Sequence, residues 1–295
     1  MTSDADILKT PIVIVGAPRS GTTLLSLVLK AHPQLHLIEE PRILWKYGND
    51  GKSDVLSAAD ARPEVCQHIR RGLARQVREA GKERLLEKTP SNALRLEFVD
   101  RVLPNCYFVH VMRDGLQSVL SIRRYWEQHA TGVKPGRVWQ RLKEMRPRQM
   151  PHYAREFLRR ALASRLGGAV GPAVWGPRLP GMDQMLRDTG LLETCAMQWR
   201  MCVERACRAG RELPPNRYME CRLEDIGEEM LRRIIKFCHL SDSPEVLQEF
   251  HSHFDPSQPG GRTVNADLAE VERVSRLIEP TKVWLEATSG KLFAD

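Results

Sequence analysis

No apolar run in this 295-residue chain approaches the ~18 residues that a membrane-spanning helix needs. The first residues, Met-Thr-Ser-Asp-Ala-Asp, are acidic and lead straight into a strand, so no signal peptide is expected and the cytoplasm is the expected compartment. Cysteine is present without a pattern. The seven cysteines (Cys66, Cys106, Cys195, Cys202, Cys207, Cys221 and Cys238) are odd in number and contain no C-x-x-C pair. That argues against a disulfide framework and a structural zinc site, and leaves buried, reduced thiols as the expectation. His251-Ser-His253 is too little for a metal centre, and no metal is expected. Aromatic residues make up 6% of the chain and are not interleaved with the basic ones, which argues against stacking on nucleic acid bases. Internal repeats and low-complexity tracts are missing as well.

What is present is positive charge and one unusual loop. Lys and Arg exceed Asp and Glu by 8, a balance that suits an anionic partner or a solvated surface. The run Pro11-Ile-Val-Ile-Val-Gly-Ala-Pro-Arg-Ser-Gly-Thr-Thr-Leu-Leu25 reads as a buried strand, a glycine-bounded turn and the start of a helix. In that geometry backbone N–H groups cradle a phosphate-like anion. One position breaks the nucleotide-hydrolysing pattern G-x-x-x-x-G-K-[ST]: Thr22 stands where its lysine belongs. Gly21 permits close backbone approach, Thr22 and Thr23 add hydroxyls at the helix start, and Arg19 offers a planar fork for two anion oxygens.

Further strand and helix signals alternate along the chain. Strands are expected at 12–15, 35–38, 84–87, 106–112 and 217–222, and helices at about 22–31, 62–80, 115–129, 191–208 and 224–239. Ser91 or Asn92 is expected to cap the helix after the third strand. This order implies an α/β fold with a central parallel sheet flanked by helices and a site at the carboxyl ends of its strands. Residues 130–186 break the rhythm with many Pro and Gly residues, a cationic helical stretch (Arg141–Arg165) and the turn Trp175-Gly-Pro-Arg178. They read as an insertion over the sheet edge within a single domain spanning 1–295. The segment 244–290 reads as helical with a turn at Gly260-Gly261-Arg262.

Three strand ends carry chemistry. The opening loop is the first. The second is Arg113-Asp114 with Ser121 two helical turns on: an arginine and a serine so placed can share a second phosphate, while Asp114 caps the helix. A Walker-B strand would end in a metal-holding aspartate instead. The third is Glu39-Glu40-Pro41-Arg42 together with Lys88. Glu40 is placed to deprotonate an acceptor hydroxyl, and Lys88 to neutralise charge on a departing oxygen. The dinucleotide-fold reading of that acid fails because Gly16 and Gly21 do not supply G-x-G-x-x-G.

Taken together these residues resemble the sulfotransferases that use 3′-phosphoadenosine-5′-phosphosulfate (PAPS), with tyrosylprotein sulfotransferases and the broad bacterial sulfotransferase family nearest in pattern. The family's phosphosulfate loop is similar to Gly16-Ala-Pro-Arg-Ser-Gly-Thr-Thr-Leu24, continuing into Ala31-His-Pro33. Its 3′-phosphate motif is similar to Val111-Met-Arg113-Asp114-Gly115 with Ser121, its Glu-Glu-x-Arg segment to Glu39–Arg42, and its Lys-x-Pro segment to Lys88-Thr89-Pro90. The strong similarity covers residues 11–125; farther on it thins to Trp199 and the Arg222-Leu-Glu-Asp-Ile226 segment.

The resemblance implies a P-loop-like three-layer fold and PAPS as co-substrate, without metal. It implies that Arg19, Ser20, Gly21, Thr22, Thr23, Leu24, Arg113 and Ser121 bind PAPS. Glu40, Lys88 and Arg19 would be catalytic, and Arg42 would touch the acceptor. Trp175 and Arg178 are further acceptor-side candidates, for a small-molecule or carbohydrate acceptor. The family's tyrosine near the adenosine is replaced by Leu223, and the 130–186 insertion does not match tyrosylprotein sulfotransferases. Other readings are a kinase or NTPase variant lacking the lysine, marked by Mg²⁺-dependent ATP turnover, and a non-catalytic anion- or nucleic-acid-binding protein, marked by steep salt dependence.

Overall fold

The computed structural model describes residues 4–129, 175–254 and 264–289. Most of the expected insertion, the cationic stretch Arg141–Arg165 and the Gly260-Gly261-Arg262 turn lie outside them.

Strand β1 (Ile12–Val15) consists of four β-branched residues, all fully buried. Such a run without polar alternation is what a parallel strand covered on both faces requires. It pairs with β3 (Arg84–Lys88) on one side and β4 (Tyr107–Met112) on the other. β2 (Leu35–Glu39) lies outside β3, and β5 (Tyr218–Arg222) outside β4. All four pairings are parallel, giving the order β2-β3-β1-β4-β5.

Alternate side chains of β1 feed two cores. Ile12 and Ile14 join Leu25, Val28 and Leu29 of α2 (Thr22–Leu29), residues of α9 (Glu228–Phe237) such as Ile234, and Phe250 of α10 (Pro244–His253). Val13 and Val15 enter the larger core on the opposite face. That core is built by α4 (Pro63–Glu79), α5 (Leu96–Val102), α6 (Gly115–His129), α8 (Leu191–Arg211) and α11 (Leu268–Ser289). Each fully buried β1 side chain contributes about 1.5–3 kcal/mol by leaving water. A charge at Val13 is therefore a change the fold would not survive. The short helices α1 (Asp4–Ile7), α3 (Arg42–Lys46) and α7 (Met182–Thr189) complete the described elements.

Because α2 lies on one face while the helices after β3 and β4 lie on the other, the strand order switches direction at β1. In open α/β sheets the carboxyl ends of the strands at such a switch are where ligands bind. The strand and helix expectations hold with ends moved by up to four residues, and the expected three-layer architecture is observed. The largest shift is in the helix expected from 224, which starts at Glu228 behind a 3-10 turn (Leu223–Asp225). One local expectation fails. Neither Ser91 nor Asn92 caps α5; both lie in a 3-10 turn (Pro90–Leu94), and Arg95 precedes the helix. Asn92 is instead drawn into the interior, donating to Glu87 Oε2 at 3.0 Å and accepting from Arg95 Nε at 2.8 Å. α7 is an element that the insertion reading did not separate.

Candidate active site

The loop from Gly16 to Gly21 turns over the end of β1. A Cβ on Gly16 would stand 2.4 Å from the Val111 carbonyl oxygen and 2.6 Å from Ser20 Oγ, so only glycine fits. Gly21 has φ +93° and begins α2 in the left-handed region, which glycine adopts without steric cost. The first intrahelical bond here runs from Leu25 N to the Gly21 carbonyl at 3.2 Å. The N–H groups of Thr22, Thr23 and Leu24 have no helical acceptor, as at any helix start. Ser20 Oγ is buried without a hydrogen-bond partner among the described residues. An anion oxygen in this loop would satisfy both the hydroxyl and the N–H groups, so the loop fits the group it was expected to hold.

On the β3 side of β1 stands a compact ionic cluster. Lys88 ends β3 with its side chain 1% exposed. Its Nζ lies 2.5 Å from Glu39 Oε1, 3.3 Å from Glu40 Oε1 and 3.3 Å from Thr23 Oγ1. Glu40 also pairs with Arg42, Nη2 to Oε2 at 2.9 Å. The Glu40 N–H donates to the Lys88 carbonyl at 2.9 Å while its φ is +51°, an uncommon conformation for a residue with a Cβ. Burial alone would raise the Glu40 carboxyl. The nearby charges of Arg42 and Lys88 and their hydrogen bonds outweigh burial and hold it below its ordinary value. The sequence-derived candidates Glu40, Lys88, Arg42 and Thr23 therefore meet in one place.

On the β4 side the charges are arranged differently. Arg19 has φ +67°, is exposed, and directs Nε to Ser121 Oγ at 3.2 Å. Its guanidinium carbon sits 5.2 Å from the centre of the Tyr125 ring. Arg113 Nη1 donates to the Arg19 carbonyl at 3.2 Å. Burial lowers the Arg113 pKa, with the Glu224 charge opposing and that of Arg19 reinforcing the shift. Asp114 caps α6 as expected, accepting from Gln117 N at 2.9 Å, and Glu224 accepts from Asp114 N at 2.7 Å. Arg19 thus turns its side chain to the Arg113–Ser121 pair.

Trp175 and Arg178 take separate positions. The Trp175 ring packs 4.5 Å from that of Tyr125, beside the Arg19 group. Arg178 is fixed through its backbone, donating to Asp54 Oδ2 at 2.7 Å and accepting from Asp54 N at 2.8 Å. Leu24 is partly buried in the second core, and Leu223 packs on the loop, its Cδ1 2.4 Å from where a Gly21 Cβ would stand.

Several participants escaped the sequence reading. Glu39 is opposite Lys88 in the β2–β3 register, a relation visible only once the strands are paired. Tyr125 is one helical turn beyond Ser121, a spacing the sequence does contain. Glu87 is entirely buried beneath Lys88. It accepts from Trp45 Nε1 at 2.9 Å, from Asn92 Nδ2 at 3.0 Å and from Thr89 Oγ1. Burial pushes its carboxyl up to about 7 against these hydrogen bonds and the Arg95 charge. Away from the site, His110, Cys207 and Glu220 bring three metal-ligand types within 4.8 Å of one another. Two of those groups are already engaged: Arg211 holds Glu220 at 2.8 and 2.9 Å, and the Tyr218 hydroxyl lies 2.7 Å from His110 Nδ1.

The sulfotransferase family model matches residues 11–173, more than half of the chain, including the loop, both flanking clusters and the α6 motif. The chain belongs to the sulfotransferase family. The chain is 30% identical to human protein-tyrosine sulfotransferase 1 over 122 residues, 38% of this chain and 33% of that protein. It is 25% identical to nodulation protein NoeE of Sinorhizobium fredii (strain NBRC 101917 / NGR234) over 142 residues, 43% of this chain and 34% of that protein. The matched region spans about a third of the length of these curated relatives. Sulfotransferase STF9 from Mycobacterium avium superposes with TM-score 0.54 at 14% identity, covering 94% of this chain and 76% of the other. STF1 from Mycobacterium tuberculosis gives TM-score 0.51 at 14% identity, covering 94% and 78%. These two share the fold. Among the described residues no helix is long and apolar enough to cross a membrane.

Proposed function

We propose that the chain, acting as one catalytic unit, moves a sulfuryl group from PAPS to a hydroxyl or amine of an acceptor. A small molecule, a glycoside or a glycolipid would fit this role. The observation that carries the reading is the position of Lys88. It is a buried ammonium touching Thr23 of the anion loop on one side and the Glu40 carboxylate on the other. In this reading the loop N–H groups, Ser20, Thr22 and Thr23 hold the 5′-phosphosulfate. Arg113, Ser121 and Arg19 hold the 3′-phosphate, with Tyr125 and Trp175 as its wall. Arg19 therefore serves the far phosphate more directly than the breaking bond.

Glu40 takes the acceptor proton as the acceptor oxygen or nitrogen bonds to sulfur. The bond from sulfur to the bridging oxygen breaks, leaving 3′,5′-bisphosphoadenosine. Lys88 and the loop N–H groups oppose the charge growing on that oxygen, where losing one donor typically costs about 10²–10³ in rate. Arg42 and Arg178 line the acceptor side. Glu40 is a weak base while Lys88 and Arg42 both hold it, so drawing Lys88 toward the donor raises its basicity when it is needed. The kinase or NTPase alternative loses support at β4, whose following aspartate is spent on capping α6.

Incubating the protein with labelled PAPS and an acceptor panel, followed by mass spectrometry, should show an added sulfuryl group and release of the bisphosphate. Turnover of Mg²⁺-ATP with no binding of 3′,5′-bisphosphoadenosine would sink the proposal. Salt-sensitive binding of nucleic acid without bisphosphate binding would sink it too.

A further inference from the structure

Resting on the reading just given, we propose that Glu39 is a positioning residue that shares the Lys88 ammonium with Glu40 and keeps the lysine from being captured by the base. Glu39 and Lys88 are direct partners in the parallel β2–β3 ladder, so the register delivers both side chains to the same face at the strand ends. The Glu39 contact, at 2.5 Å, is the shorter of the two carboxylate contacts to Nζ; Glu40 stands at 3.3 Å. A lysine with 1% side-chain exposure has no access to bulk water and must be neutralised by the protein. Glu40 has a second cation, Arg42, at 2.9 Å, whereas Lys88 is the sole ion-pair partner of Glu39 among the described residues.

Two cations and two carboxylates therefore cancel, and Lys88 rests between the loop hydroxyl of Thr23 and the two acids. Removing the charge of Glu39 has two consequences of opposite sign. The cluster becomes net positive, which favours an anionic ligand in the neighbouring loop. The buried ammonium is left with Glu40 as its one carboxylate, which ties up the lone pairs needed for the acceptor proton. Donor binding and turnover should then move in opposite directions, a signature that a merely structural role does not produce.

The test is calorimetric titration of the full chain with 3′,5′-bisphosphoadenosine for Glu39→Gln and Glu39→Asp. It is joined by kcat with PAPS and an acceptor from the panel. Glu39→Gln should bind the bisphosphate about threefold more tightly, the scale of one half-exposed ion pair. Its kcat should fall about tenfold, a fraction of what a general base contributes. Glu39→Asp keeps the charge and should return both quantities to within about twofold of the native protein. Unchanged or weaker bisphosphate binding in Glu39→Gln, unchanged kcat, or Glu39→Asp behaving like Glu39→Gln would each overturn the proposal. Failure of the underlying base assignment shows elsewhere, as retained turnover in Glu40→Gln, and leaves the binding comparison at Glu39 intact.

Discussion

The two clusters flanking the opening loop use similar residues toward different ends. On the β3 side, Lys88 and Arg42 are matched by Glu39 and Glu40, and every charge has a partner within 3.3 Å. On the β4 side, Arg19 makes no ion pair among the described residues; it rests on the Ser121 hydroxyl and the Tyr125 ring. Arg113 lies beside it, its carboxylate neighbours Asp114 and Glu224 serving the start of α6. A charge-balanced cluster suits a place where protons and leaving-group charge move, because charge can shift within it. A cluster whose exposed Arg19 rests on a hydroxyl and a ring, with no ion pair of its own among the described residues, suits a place where a phosphate arrives and stays. The loop from Gly16 to Gly21 and the first turn of α2 behind it reach both, Thr23 toward Lys88 and Arg19 toward Ser121.

The largest effects should come from breaking the balanced side. Glu40→Gln should cut kcat by about 10²–10⁴, the range of a positioned general base, while bisphosphate affinity stays within a few-fold in calorimetry. A variant keeping most of its turnover would remove Glu40 from the role. Lys88→Ala follows at about 10²–10³ in kcat. It also leaves Glu39 and Glu40 without their shared ammonium, so its melting temperature should drop alongside. Arg113→Ala, on the β4 side, should weaken bisphosphate binding by about tenfold to a hundredfold with a smaller change in kcat once donor is saturating. Equal losses in kcat for both sides would erase the distinction between them.

Smaller effects sharpen the comparison through pH. Glu40 is held low, so its pairing stabilises the fold above the usual carboxylate value and is lost as pH falls through that range. Glu87 works the other way. Its carboxyl, raised to about 7, favours the protonated native state, and its contribution declines as pH rises from about 4.5 to about 7. Glu87→Gln sets one amide donor against the three donors already aimed at the carboxyl. It should cost about 1–3 kcal/mol in denaturant unfolding. Since glutamine mimics the neutral acid, that cost should be larger at pH 5 than at pH 8; a pH-independent cost would contradict the assignment.

Much of this was legible in the sequence because it is local. The β-branched run Ile12–Val15, the paired glycines at 16 and 21, and the Arg113–Ser121 spacing each carry their geometry in a few residues. The Asp114 cap was readable for the same reason, lying three residues from the amide it accepts. What escaped depends on strands meeting. Glu39 gains its role from standing opposite Lys88, 49 residues away, and Leu223 from packing on Gly21. Asn92 looked like a cap because its type favours helix starts. The buried Glu87 carboxylate competed for the same side chain and won, an override that no local signal announces. Arg19 was read at the breaking bond from its position in the loop; that its side chain also rests on Ser121, 102 residues away, no local signal announces.

The central claim is that one ligand spans both clusters, with its far phosphate on the β4 side. Calorimetric titration of the native protein and Arg113→Ala with 3′,5′-bisphosphoadenosine and with adenosine 5′-phosphate tests it directly. The native protein should prefer the bisphosphate by at least about tenfold, and Arg113→Ala should lose most of that preference while its affinity for the 5′-phosphate alone changes little. Equal affinity of the native protein for the two ligands would contradict the account.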